Sequence, residues 1–140
     1  MFLERIEILG FRGINRLAVT FHQTTALIGE NTWGKTSLLR ALWSLLGQGE
    51  TPYQFDIADF HRPDDPELPI ARHLQLILTF REYKPDICVH SSRLNRLNPI
   101  WCKGRDGIHR IYYRAAADWL ADDTIVSEHG FLDQYGRSMV

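Results

Sequence analysis

The sequence predicts an α/β fold in which a mixed sheet surrounds one strand, loop and helix, with an antiparallel sheet added to it. Three observations predict this. The stretch Thr24-Thr25-Ala26-Leu27-Ile28-Gly29-Glu30-Asn31-Thr32-Trp33-Gly34-Lys35-Thr36-Ser37, followed by Leu38-Leu39-Arg40-Ala41-Leu42-Trp43-Ser44-Leu45-Leu46, reads as a buried strand, a phosphate-binding loop and a helix. Before and after it, apolar residues alternate with polar ones in short runs separated by turn residues, the mark of half-buried strands. Only one clear helix accompanies these strands, whereas a parallel sheet would set a helix between each pair.

Taken in order, Ile6, Ile8 and Gly10 alternate with Glu7, Leu9 and Phe11, and Leu17, Val19 and Phe21 alternate with Arg16, Ala18 and Thr20. Two antiparallel strands turning near Gly13-Ile14-Asn15 follow. Gly10 within the first of them suggests a bulge or a close approach of backbone, and Arg12 falls just past its end, pointing either to a nucleotide or to water. The third strand, Ala26-Leu27-Ile28, runs into the loop. In the helix after it, Leu38, Leu42 and Leu45 with Leu39 and Leu46 form a stripe that Gly47 can terminate.

Residues 51–70 carry Pro52, Pro63, Pro66 and Pro69, which forbid a long regular element and mark a surface connection. Its Asp56, Asp59, His61 and Asp64 match no metal-loop spacing and read as an acidic solvated turn. Leu74, Leu76, Leu78 and Phe80 then make the clearest half-buried strand, closed by Arg81-Glu82-Tyr83-Lys84-Pro85. A hairpin is expected from Ile100-Trp101-Cys102-Lys103 through Gly104-Arg105-Asp106-Gly107 to 108–117, with Ile111, Tyr113 and Ala115 on one face. Arg93, Arg96, Lys103, Arg105, Arg110 and Arg114 make this region basic, either a solvated sheet face or a nucleic-acid surface that includes Tyr112. After the turn at Asp122-Asp123, two short strands are expected, at Thr124-Ile125-Val126 and at Phe131-Leu132-Asp133.

The loop carries the chemistry. Gly29 and Gly34 bound a G-x-x-x-x-G-K-[ST] pattern over residues 29–37. Its glycines permit backbone angles and approaches that a Cβ would block, so several N–H groups can converge on one phosphate. The helix that follows adds its unpaired first-turn N–H groups and the positive end of its dipole. Lys35 would reach the outer phosphates and the Thr36 hydroxyl would ligate magnesium. No run of four apolar residues ending in Asp or Asp-Glu follows, so the segment that would hold magnesium and position attacking water has no counterpart here. Nucleotide binding is therefore expected, without visible means of hydrolysis.

Composition limits the alternatives. The 140 residues are 44% hydrophobic and 24% charged, enough for one domain with a real core. Sixteen Lys and Arg balance seventeen Asp and Glu, so no global field draws the chain to nucleic acid. The N-terminal Met1-Phe2-Leu3-Glu4-Arg5-Ile6-Glu7 is too acidic and too briefly apolar for a signal peptide, and a cytoplasmic location is expected. Cys88 and Cys102 fit no metal spacing and read as ordinary thiols. Asp133-Gln134-Tyr135-Gly136 fits the D-x-x-G of a GTPase, but it lies far downstream of Lys35 and no Asn-Lys-x-Asp accompanies it.

Ile6-Glu7-Ile8-Leu9-Gly10-Phe11-Arg12-Gly13-Ile14, the second strand to Phe21, and 27–42 around the loop together resemble the N-terminal part of SMC/RecF-type ATPase heads. Within that group the chain most resembles the OLD family of ATP-dependent endonucleases, a match that Asp59-Phe60-His61-Arg62-Pro63 and Phe131-Leu132-Asp133-Gln134-Tyr135-Gly136 extend. The resemblance implies an ABC/SMC-like P-loop NTPase half-head spanning 1–140. In such proteins two nucleotide-bound heads pair, and a C-terminal Toprim domain cuts DNA. It further implies ATP and Mg2+ as cofactors, held by Asn31, Gly34, Lys35, Thr36 and Ser37, and places Arg12 near the nucleotide. A homodimer of the full-length protein and DNA as a partner also follow from it. The signature-helix region, the second ATPase half and the Toprim domain have no counterpart in these residues, which read as the opening part of a head. One departure stands in the loop itself: relatives carry Gly-Glu-Asn-Gly-x-Gly-Lys where this chain has Thr32-Trp33 after Asn31. A β-branched residue at a left-handed position costs about 1–2 kcal/mol, so weakened nucleotide affinity is expected. A DNA- or protein-binding module with a vestigial loop is the alternative.

Overall fold

The computed structural model describes residues 1–22, 34–47, 49, 51–91 and 94–139. The expected third strand at 26–28, together with Gly29, Asn31, Thr32, Trp33 and Arg93, lies outside the described residues.

Among the described residues, six strands form one antiparallel sheet: β1 (Phe2–Phe11), β2 (Ile14–Thr20), β3 (His73–Arg81), β4 (Cys102–Lys103), β5 (His109–Trp119) and β6 (Ile125–Leu132). Their order is β2-β1-β3-β5-β4, and β6 pairs with β5 along the edge beyond β4. Alternation sets the faces. Ile6 and Ile8 pair with Val19 and Leu17 on one side and with Leu78 and Leu76 on the other, and the latter lie opposite Tyr113 and Ala115. These residues line a single face. Ile6, Leu74, Leu76, Leu78 and Ala115 have no solvent exposure, each large one contributing about 1.5–3 kcal/mol of hydrophobic stabilisation.

The helix α1 (Lys35–Leu46) lies on that face and buries Leu38, Ala41 and Ser44 into the core shared with Ile14, Phe55 and Phe60. The expected stripe is thus rotated: Leu42 and Leu45 flank the contact, while Leu39 and Leu46 point away with Trp43, all three about half exposed. Gly47 ends it as anticipated, its N–H donating to the Trp43 carbonyl at 2.7 Å.

Two further expectations change, and one pair of alternatives is decided. The two short strands after Asp123 are one continuous strand, β6, because every residue from Ile125 to Leu132 finds a partner on β5. Gly10 marks a close approach rather than a bulge: it has φ +65°, and a Cβ there would stand 2.5 Å from the His73 carbonyl oxygen. The register shift in β1 falls instead between Leu3 and Arg5. Residues 51–70 contain no strand or α-helix, yet they carry a short 3₁₀ turn at Ile57–Asp59 and bury Phe55, Asp59 and Phe60. Asp59 is therefore no solvated residue.

The hairpin β4–β5 forms as read, closed by Gly107 at φ +81° and by the Gly104 N–H to the Ile108 carbonyl. Between β3 and β4 the chain makes a short helix α2 (Ile87–His90) and a 3₁₀ turn (Asn95–Ile100) over a second small core of Cys88, Trp101 and Ile111. Among the described residues, no helix is long and apolar enough to cross a membrane.

Candidate functional site

Gly34 stands at the entrance to α1 with φ +86° and ψ 5°, a left-handed conformation that glycine adopts at no steric cost. A Cβ there would also press on Ile14 Cγ1 at 3.0 Å. Among the described residues no side chain caps the helix, and no acidic residue occupies its first turn. The positive end of the helix dipole favours an anion at this end. Lys35, partly exposed, and Thr36, exposed, follow directly, so the described end of the loop fits phosphate and magnesium by its donor set.

Ser37 is tied to the β1–β2 turn: its Oγ accepts the Gly13 N–H at 3.0 Å. A Cβ on Gly13 would lie 2.9 Å from that oxygen. The turn that carries Arg12 and Gly13 is thereby held against the first turn of α1.

Arg12 occupies the left-handed region at φ 49°, which is unusual for a side-chain-bearing residue. What holds it there is Asp59, 47 residues later. The Arg12 backbone N–H donates to the Asp59 carbonyl at 2.8 Å, and its guanidinium meets Oδ1 through Nε at 3.0 Å and Nη2 at 2.8 Å. Asp59 is completely buried and also accepts from the Tyr53 hydroxyl at 3.1 Å and from the Asp56 N–H at 3.0 Å. Burial, and then the Asp59 carboxylate, push the Tyr53 hydroxyl above its ordinary pKa. His61 Nδ1–H donates to the Arg12 carbonyl at 2.6 Å. The Arg12 side chain keeps 30% of its surface in solvent. Arg12 is therefore a cation pinned by a buried carboxylate rather than a freely solvated one.

Sequence reasoning missed Asp59 and Tyr53 as partners of Arg12. One local signal was present: Asp56 and Asp59 stand three apart and form a reciprocal capping box around the 3₁₀ turn.

A second polar cluster was also missed. Glu82 is fully buried at the end of β3. Its Oε1 accepts the His109 N–H at 2.8 Å, His109 Nδ1–H at 2.8 Å and the Asp86 N–H at 3.2 Å, and its Oε2 accepts the Cys88 N–H at 3.0 Å. Burial alone would raise its pKa. The N–H groups of Cys88 and His109 and the His109 ring outweigh that and hold it at about 2. Burial and the neighbouring Glu82 push the Cys88 thiol up to about 11.

The basic hairpin is largely neutralised. Arg110 bridges Glu4, at 2.7 and 3.1 Å, and Asp106, at 3.1 and 2.9 Å. Arg114 reaches Gln75 at 2.7 Å and Glu128 at 3.5 Å, and Lys103 lies 3.9 Å from Asp86. Asp133-Gln134-Tyr135-Gly136 forms a tight turn after β6. The Asp133 carboxylate accepts the N–H groups of Tyr135 and Arg137 at 2.8 and 2.9 Å and pairs with Arg137 Nε at 3.0 Å. Its carboxylate is engaged in closing that turn.

The antiparallel sheet with α1 packed on it has a fold like that of an SMC ATPase head. Chain tracing agrees: a solved structure from work on the ATP-driven dimerization and DNA-stimulated activation of SMC ATPases matches with a TM-score of 0.56 at 17% identity, over all of this chain and 73% of that one. The chain belongs to the family described as a protein of unknown function, DUF2813, whose model matches residues 1–140. It is 43% identical over 140 residues to the uncharacterized protein YbjD of Escherichia coli (strain K12), covering 98% of this chain and 25% of YbjD. It is also 41% identical over 46 residues to the DNA replication and repair protein RecF of Streptococcus suis (strain 05ZYH33), 32% of this chain and 13% of RecF. The chain thus spans about a quarter of the length of YbjD.

Proposed function

We propose that the chain binds ATP with magnesium through residues 29–37, as the N-terminal portion of the ATPase head of an OLD-like, ATP-dependent DNA endonuclease. The observation that carries this reading is Gly34, left-handed at the start of α1 and immediately before Lys35, Thr36 and Ser37. Lys35 and the first-turn N–H groups of α1 hold the phosphates, with Gly29, Asn31 and Ser37 completing the loop, and Thr36 offers its hydroxyl to the magnesium. Bound ATP supplies the anionic bridge through which paired heads of this type are joined.

Arg12 acts beside the nucleotide. The Gly13–Ser37 hydrogen bond sets its turn against α1, and Asp59 orients its guanidinium without consuming all of its exposed surface. The half-exposed Leu39, Trp43 and Leu46 face of α1 packs against the rest of the head, which lies in the longer protein together with the hydrolytic and DNA-cutting residues. Pairing of two such heads as a homodimer and action on DNA belong to that whole protein.

Calorimetric titration of ATP, with GTP for comparison, into the protein and into Lys35→Ala in magnesium buffer tests the reading. One ATP site that Lys35→Ala abolishes is expected. A well-folded protein that binds no ATP, or binds it equally without Lys35, overturns it.

A further inference from the structure

We propose that Glu82, Cys88 and His109 form a zinc site that cross-links the excursion between β3 and β5. Each offers one ligand atom, and these atoms lie within 4.8 Å of one another. Glu82 and Cys88 are buried, and the His109 side chain is 12% exposed. Around a tetrahedral zinc with ligands about 2.0–2.3 Å from the metal, donor atoms stand roughly 3.3–3.8 Å apart. The observed cluster brackets that range, from His109 Nδ1 to Glu82 Oε1 at 2.8 Å up to the 4.8 Å limit. Closing it around one ion requires movements of an ångström or less.

The donor set selects the metal. A thiolate, an imidazole and a carboxylate suit zinc, whereas magnesium and calcium take oxygen ligands. The fourth position is left to water: Asp86 Oδ1, 3.9 Å from His109 Nδ1, sits on a half-exposed side chain that gives the ion a route from solvent. Lys103, 3.9 Å from the same Asp86 carboxylate oxygen, is itself exposed and can withdraw.

The proton balance is simple. On binding, the ring proton moves from Nδ1 to Nε2, which frees Nδ1 and relieves Glu82 Oε1 of one of its three donors, and the Cys88 thiol proton leaves to water. The two bound anions then match the charge of the divalent ion.

The fold gives such a cross-link a purpose. Glu82 and His109 are 27 residues apart, and the described residues between them form a four-residue helix, a 3₁₀ turn and a two-residue strand over a core of Cys88, Trp101 and Ile111. So little buried apolar surface holds a long loop weakly, and a metal clip that closes it restricts the unfolded chain most. The residues are far apart in sequence, which is why spacing between cysteines showed nothing.

The test is titration of Co(II) into the metal-free, reduced protein, followed by its absorption. One equivalent should give the intense thiolate-to-cobalt band and the visible bands of tetrahedral cobalt, and Zn(II) should displace them. Cys102→Ala should keep the full signal, and Cys88→Ala, its fold checked by circular dichroism, should lose the thiolate band. Absence of the band in the unsubstituted protein overturns the proposal, and so does a band that survives Cys88→Ala. In either case the cluster is a hydrogen-bonded latch complete without metal.

Discussion

The Arg12–Asp59 pair makes an asymmetric prediction. Arg12→Ala leaves a completely buried carboxylate without its cation, with only the Tyr53 hydroxyl and the Asp56 N–H still facing it. Breaking a buried pair in this way costs about 3–5 kcal/mol. Asp59→Ala instead frees an arginine whose side chain is 30% exposed and can recover water, and it strands one hydroxyl and one N–H. About 2–3 kcal/mol is expected for that change. With a urea m-value of about 2 kcal/mol/M, the unfolding midpoint should fall by roughly 1.5–2.5 M for Arg12→Ala and roughly 1–1.5 M for Asp59→Ala. The double variant should lose less than the sum, leaving a coupling energy of about 1.5–3 kcal/mol. Urea unfolding followed by tryptophan fluorescence suits the measurement, because Trp43 packs edge-on to Tyr53 with ring centroids 6.3 Å apart. Additivity of the two single changes within about 0.5 kcal/mol would refute the pairing. A larger loss for Asp59→Ala than for Arg12→Ala would refute the argument from burial.

Two further predictions concern positions remote from the loop. Glu82 has its carboxyl lowered from 4.5 to about 2, so its contribution of about 3 kcal/mol is complete above the unfolded value near 4.5 and is lost as pH falls toward 2. Urea midpoints measured from pH 6 down to pH 3 should therefore fall more steeply for the unsubstituted protein than for Glu82→Gln, and parallel curves would count against the assignment. Gly10→Ala would force a Cβ to within 2.5 Å of the His73 carbonyl at φ +65°, costing about 2–5 kcal/mol from backbone strain and overpacking. Gly130→Ala, with nothing within 4 Å of the added carbon, should change stability by no more than about 0.5 kcal/mol. Similar midpoints for the two alanine variants would show that Gly10 does not touch β3 as described.

What could be read locally was read well. The alternation in β1, β2 and β3, the β4–β5 hairpin with its Gly104–Gly107 turn, and the end of α1 at Gly47 each follow from a pattern only a few residues long. Such patterns act through backbone sterics and through which face of an element is apolar, and neither depends on distant chain. The rotation of the α1 contact was not legible, because its apolar residues surround much of the helix and only the sheet decides which of them are covered. Nor could composition distinguish one β6 from two fragments, since Ser127, Glu128 and Gly130 are weak strand formers held by their pairing with β5.

The sequence by itself determined β1, β2, β3, the β4–β5 hairpin and α1, and it marked Gly34, Lys35, Thr36 and Ser37 as candidate phosphate-loop residues. Only the tertiary structure decided that Arg12 is pinned by Asp59 across 47 positions, that Ser37 meets Gly13 across 24, and that Glu82 gathers Cys88 across 6 and His109 across 27. The physical reason is common to all three. A carboxylate or hydroxyl pairs with whatever donors the fold brings to it, and no local periodicity records which distant residue will supply them.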